Sequence, residues 1–363
     1  MAVVAPSGFS MKIAQIAPLY ESVPPQLYGG TERVVSYLTE TLVELGHEVT
    51  LYASGDSVTK ASLRPGCPTA LRLDSHSVDP IADHINLVER AFQEASEFDV
   101  IHSHIDYLAF PLLRRMETPH VTTLHGLLDI PNLHGLYREF REEPVISISD
   151  DQRLPLSWVN WQATVHHGLP ADLYAFQKTP GKYLSFLGRI SPEKGLDHAL
   201  EIAVRSGLPL KIAAKVDKAD RDYFETRIKP LLGRCDAEFV GEIGEHEKSA
   251  FLGEALALLF PIDWREPFGL VMIEAMACGT PVIAFRRGSV PEIVEHGTTG
   301  FVVNNVDEAV SAVQEVHRLS RLDSRRAFEN RFTSARMADQ YIAVYEQLIQ
   351  ARPVARKADG VAL

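Results

Sequence analysis

Cysteine is scarce in this chain of 363 residues: Cys67, Cys235 and Cys278 lie far apart and form no C-x-x-C pair. That spacing argues against both a disulfide framework and a zinc site. Long apolar runs are missing too. No stretch of about 18 uncharged apolar residues is present to span a bilayer, and Met1 to Ser10 lack the basic start and apolar run of a secretory signal. Residues 1–10 therefore read as a disordered extension, and the protein is expected in the cytoplasm. Positive charge is in deficit: 36 Lys and Arg against 48 Asp and Glu leave a net charge of -12. Nucleic acid, whose phosphates need concentrated Lys and Arg, is excluded as a partner on that ground. No G-x-G-x-x-G follows the first strand, which argues against a dinucleotide oxidoreductase.

What is present is an α/β alternation of short apolar strands and amphipathic helices. Lys12 to Ala17, Glu48 to Ala53, Asp99 to His102, His120 to Leu124 and Val145 to Ile148 read as strands of a first parallel sheet. The helix between Thr31 and Leu45 repeats Val34, Leu38, Leu42 and Leu45 at three-to-four spacing, which places Glu32, Arg33, Glu40 and Glu44 off the apolar stripe. A second series follows: Tyr183 to Leu187, Leu210 to Ala213, Glu238 to Val240, Ala257 to Phe260 and Val282 to Phe285. Two such units imply a cleft. The Pro-containing stretch from Gly168 to Lys178 is the expected linker, so residues 11–170 form one domain and residues 171–333 the other. Ser334 to Ala351 is apolar-periodic, and a frayed tail is expected beyond it.

The most informative segment is Glu266-Pro267-Phe268-Gly269-Leu270-Val271-Met272-Ile273-Glu274-Ala275-Met276-Ala277-Cys278-Gly279. Pro267 suits a first helical position and Gly279 the residue just past the end. The residues between are almost all apolar, so the helix is surrounded by protein, and Glu274 within it needs a dedicated partner. That partner is either a structural Arg or backbone group, or a ligand. The helix start offers free N–H groups and a dipole, an anion site with Glu266 beside it. A separation of eight residues corresponds to on the order of 12 Å at helical rise, about the span of a sugar nucleotide.

This segment resembles the E-x7-E signature of retaining glycosyltransferases, specifically family 4 (glycosyl transferases group 1). Phe186-Leu187-Gly188-Arg189-Ile190-Ser191-Pro192-Glu193-Lys194-Gly195 and Gly297-Thr298-Thr299-Gly300-Phe301-Val302-Val303 extend the resemblance over nearly the whole chain. It implies the GT-B fold, two Rossmann-like parallel-sheet domains facing across a cleft, with the last helix (334–363) crossing back to the first domain. It also implies transfer of a hexose from a UDP- or GDP-linked donor, with retention, to a small-molecule or glycan acceptor.

Such a transfer must stabilise a diphosphate leaving group, with a metal or with fixed cations and N–H dipoles. The sequence favours the second. Its one D-x-D, Asp220-Arg221-Asp222, sits in a polar run and reads as a solvated helix face, so no metal and no cofactor is expected. Arg189 follows a strand and a glycine, and Lys194 falls after Ser191 as N-cap and Pro192 at N1. By resemblance both contact the donor diphosphate, the Phe268, Gly269 and Leu270 turn and the Gly29-Gly30 loop complete the cradle, and Glu274 bonds the ribose. Glu266 lies beside the sugar in the same reading. Ile243, in Gly241-Glu242-Ile243, is expected near the nucleobase. His102, His104 and His125 end predicted strands, where open α/β sheets bind ligands. By resemblance, the strand-end T-x-H context of Thr123-Leu124-His125 places His125 in the catalytic set; His102 reads as structural, and His104 with Asp106 as lining the acceptor pocket. Ser289, where the family often has glycine, leaves the donor sugar open. Two rivals stand beside this reading, an epimerase of the nucleotide sugar and a catalytically silent sugar-nucleotide sensor or partner subunit.

Overall fold

The computed structural model describes residues 10–74 and 78–351; residues 1–9, the end of the chain from 352, and therefore most of the expected extension and tail, lie outside them. Seven parallel strands form the first sheet: β1 (Lys12–Ile16), β2 (Glu48–Ser54), β3 (Ser62–Cys67), β4 (Val100–Ser103), β5 (His120–Thr123), β6 (Val145–Ser147) and β7 (Trp161–Thr164). Their order is β3-β2-β1-β4-β5-β6-β7. Six more form the second: β8 (Leu184–Arg189), β9 (Leu210–Lys215), β10 (Ala237–Gly241), β11 (Ala257–Phe260), β12 (Val282–Phe285) and β13 (Gly300–Val303), ordered β10-β9-β8-β11-β12-β13. The inner strands β11 and β12 are buried at every position, as a sheet covered by helices on both faces requires.

In each sheet the strand order reverses once beside the first strand of the unit, at β1/β4 and at β8/β11. The loops leaving those strands diverge there and open a crevice, so their carboxyl ends are where ligands are received. The opening helix, Gly30–Glu44, follows β1; a site helix, Leu270–Cys278, follows β11. The opening helix corrects the sequence reading in one respect, because Glu32 and Arg33, placed off its apolar stripe, are only 6% and 5% exposed. They face the crevice rather than solvent.

The last helix, Ser334–Gln350, is capped by Thr333, whose hydroxyl accepts from the Arg336 amide. Its Met337, Ala338, Tyr341, Val344 and Tyr345 are buried in one cluster with Met11, Ile13, Val34 and Leu38 of the first unit. The three cysteines are free thiols. Among the described residues no helix is long and apolar enough to cross a membrane.

Candidate active site

A cleft of about 770 Å³ runs between the two sheets, and it is lined from both sides. From the first unit come Gly29, Gly30, Arg33, His104, Asp106 and His125; from the second come Arg189, Lys194, Ile243, Lys248, the run from Glu266 to Val271, and Glu274. A methyl group placed on Gly30 would lie 3.6 Å from Leu270 Cδ1, so the two glycine turns face each other.

The site helix begins later than its sequence suggests. Gly269, at φ 81°, is the N-cap and Leu270 the first helical residue, because Gly269 adopts the left-handed conformation that turns the chain into the helix. A Cβ there would also sit 2.8 Å from Met272 Cε. Pro267 is therefore not at N1, and Glu266 stands in the loop ahead of the helix. The helical rise is not the ruler between the two carboxylates. Gly279, at φ 84°, closes the helix as expected.

Glu266, 8% exposed, accepts from Lys194 Nζ at 2.6 Å and from Trp264 Nε1 at 2.8 Å, both at Oε2. The Lys194 ammonium also lies 4.5 Å from the centre of the Trp264 ring. Its pairing with a carboxylate and a π-face holds it at the cleft wall. Lys194 belongs to a 3₁₀ turn, Pro192–Lys194, that precedes the next helix; Ser191 is its N-cap and Pro192 its first residue, as expected, but Ser191 makes no side-chain cap bond. Glu274, 3% exposed, does have a dedicated partner. Lys248 Nζ lies 2.8 Å from its Oε1, and the Tyr174 hydroxyl 3.4 Å from the same oxygen. The partner is a lysine on the Glu245–Gly253 helix, neither the arginine nor the backbone group weighed from sequence.

Arg189 is more heavily engaged than its motif implies. It pairs with Glu193, and Asp220 and Asp217 carboxylates lie 3.6 and 3.9 Å from its guanidinium. Asp220, the first acid of the D-x-D read as a solvated face, therefore faces this arginine. Ser289 is fully buried behind the Glu266 turn, its hydroxyl donating to the Phe268 carbonyl at 2.8 Å and its amide to the Glu266 carbonyl at 3.0 Å. It supports that turn and does not line the cleft.

On the opposite wall the histidines form a chain. His102 is fully buried, with Tyr345 Oη and Thr123 Oγ1 each 2.7 Å from its ring nitrogens. His104 Nε2 lies 2.7 Å from Gln15 Oε1, and its Nδ1 lies 3.0 Å from His125 Nε2. Because the Gln15 oxygen only accepts, His104 carries its proton on Nε2 and receives one from His125 Nε2, which leaves His125 Nδ1 bare. Among the described residues that nitrogen is buried without a partner. His125 stacks on His167 with ring centres 5.4 Å apart, and His167 meets the Phe268 ring at 4.8 Å. Burial pushes His125 down to about 3, so its imidazole is neutral. Asp106, at φ 50°, accepts from the His125 amide at 3.2 Å, and burial pushes its carboxyl up to about 6.

Sequence reasoning did not single out Gln15, Tyr174, Glu245, Lys248, Trp264 or His167. Trp264 was within reach of it, two residues ahead of Glu266. The others are joined only by folding.

Comparison with known proteins supports the fold and its chemistry together. The family model for glycosyl transferases group 1 matches residues 175–333, and that for glycosyltransferase family 4 matches residues 28–152. An uncharacterized glycosyltransferase of Methanocaldococcus jannaschii is 26% identical over 84% of this chain and 89% of its own length. The alpha-maltose-1-phosphate synthase of Mycolicibacterium smegmatis is 25% identical over 92% of this chain and 99% of its own. Among solved structures, a sucrose-phosphate synthase from Thermosynechococcus elongatus superposes with a TM-score of 0.78, covering 94% of this chain and all of that one at 21% identity. The chain belongs to the glycosyltransferases of family 4 (glycosyl transferases group 1), enzymes of the GT-B fold that transfer a glycosyl group from a nucleotide sugar to an acceptor.

Proposed function

We propose that this protein is a retaining hexosyltransferase that takes a UDP- or GDP-linked hexose and delivers it to a small-molecule or glycan acceptor without a metal ion. The observation that carries the reading is the pair of lysine-held carboxylates, Glu266 and Glu274, set on either side of the Gly269-Leu270 helix start and facing His125 across the cleft. The second domain, 171–333, holds the donor and the first, 11–170, the acceptor, with the last helix tying them.

In this reading the ribose hydroxyls donate to Glu274 at Oε2, the oxygen that neither Lys248 nor Tyr174 uses, and the nucleobase lies along Gly241 to Ile243. The diphosphate draws the Lys194 ammonium from Glu266, and Arg189, the Gly269 and Leu270 amides and the Gly29-Gly30 loop complete its cradle. Freed of its lysine, Glu266 stabilises positive charge developing at the anomeric carbon. The acceptor hydroxyl attacks that carbon from the face the phosphate leaves; the carbon–phosphate oxygen bond breaks, the new glycosidic bond forms, and the departing phosphate takes the hydroxyl proton. Alignment and charge placement therefore supply the rate, and no protein base is required. Neutral His125 and Asp106 orient hydroxyl groups at this junction.

Calorimetry with UDP, GDP and ADP and their glucose, mannose and N-acetylglucosamine conjugates, with and without chelator, tests the donor half. Tight binding of one nucleotide that survives chelator is expected. Binding abolished by chelator would overturn the metal-free reading, no binding at all would favour a degenerate partner subunit, and an inverted anomeric configuration in the product would overturn retention.

A further inference from the structure

Beneath Glu274 lies a largely buried group of charges, most of which the reaction as described does not use. Lys248 Nζ sits 2.8 Å from Glu274 Oε1 and 3.7 Å from Glu245 Oε2, so two carboxylates share one ammonium. Glu245 also meets two groups from outside its own helix. The Tyr174 hydroxyl donates to Oε1, and Arg33, on the opening helix of the first unit, pairs with Oε2 from across the cleft. The side chains of Arg33, Lys248, Glu245 and Glu274 are 6%, 12%, 18% and 4% exposed, where solvent screens little and a carboxylate without its cation is costly. A second bond, from Arg33 Nη2 to the Leu27 carbonyl at 2.7 Å, fixes the guanidinium in place.

Charge matching in this group depends on which cation each carboxylate owns. With Arg33 present Glu245 is satisfied from the first unit, and Lys248 rests on Glu274. Without Arg33, Lys248 is the cation left to both acids within 4 Å among the described residues, and Glu245, three residues away on the same helix, competes for it. We infer that Arg33 and Glu245 are positioning residues for the ribose carboxylate. Arg33 neutralises Glu245, which leaves Lys248 to hold Glu274 Oε1 and keep Oε2 for the donor. Since Arg33 arrives from the first unit, the grip on the donor is complete only when the cleft is closed. This rests on the proposed role of Glu274 in binding the nucleotide ribose.

A double-mutant cycle read by nucleotide calorimetry tests the inference. Arg33→Met should weaken binding of the preferred nucleoside diphosphate tenfold or more, and Arg33→Met combined with Glu245→Gln should restore it to within threefold of wild type. Arg33→Lys, which keeps the charge, should also stay within threefold. A combined variant as weak as Arg33→Met would overturn the inference, since Arg33 would then touch the donor itself; so would an Arg33→Met variant that binds normally. A crystal structure of unliganded Arg33→Met gives a readout independent of nucleotide. There the Lys248 ammonium should have moved from Glu274 to Glu245, and its remaining on Glu274 would overturn the inference even if the donor reading held. If wild type binds no nucleotide while Lys248 moves as expected, the donor reading fails and the charge coupling stands.

Discussion

His125 is neutral because it is buried, and it shares that condition with His102, His104 and His167, all driven below their ordinary value of 6.5 by burial first. A histidine lowered in the folded state takes its proton only on unfolding. Its contribution is fully present above pH 6.5 and is lost as pH falls below that, at up to about 1.4 kcal/mol per pH unit for each group. Glu32, pushed up to about 7 by burial, and Asp106, up to about 6, act the other way, their cost growing as pH rises toward those values. Four histidines against two carboxyls give a net loss on the acid side. Urea midpoints should therefore fall from pH 7 to pH 5, and an unchanged or higher midpoint at pH 5 would refute this. Lys194 and the acid it holds separate by kinetics: Lys194→Ala should weaken donor binding at least tenfold, whereas Glu266→Gln should lower kcat on the order of a hundredfold with donor KM little changed. Equal effects of both on KM would refute that division. The candidate site was legible where chemistry follows local spelling, as with Glu274 in its apolar helix and His125 at a strand end. Lys248 was not, because its pairing with Glu274 exists only once two helices pack, and Arg33 was misplaced because a helix stripe predicts burial in a core and not in a cleft.

At the level of elements, the strands that went unread share a position. β3, β7 and β13 all lie at sheet edges, where one side has no neighbour and the apolar run that marks an inner strand is not required. β3 even contains Pro65 and Gly66, tolerable at an edge and disruptive inside a sheet. The inner strands, mostly apolar, were read to within about two residues at each end. Close packing of backbone on backbone was equally invisible. Gly288, at φ 53°, would place a Cβ 2.3 Å from the Glu266 carbonyl oxygen and 2.4 Å from its amide. Gly288→Ala should therefore displace the Glu266 loop and cut kcat at least tenfold while leaving nucleotide affinity within threefold. A variant with normal kcat would show that the loop yields instead.

Viewed whole, the two units meet through polar contacts as well as apolar ones such as Ile148 and Leu169 against Phe268 and Met272. Besides Arg33 with Glu245, the Arg265 guanidinium grips Asp151 at 2.6 and 3.1 Å. The Glu292 carboxylate accepts from the Asp150 and Asp151 amides at 2.8 and 2.7 Å. The polar contacts of this seam open at modest cost compared with apolar ones, as donor entry and product release require. Arg265→Ala combined with Glu292→Ala should raise the radius of gyration in small-angle scattering without nucleotide and return toward the wild-type value when it is added; no change would show that the seam is held elsewhere. The last helix has a different consequence. Its Tyr341 and Tyr345 complete the core around Met11 and Ile13, so on the ribosome the first unit is finished well before the segment that covers it is made. The nascent first unit emerges with that apolar face bare, and chaperones have a defined surface to shield until the carboxyl end of the chain clears the exit tunnel.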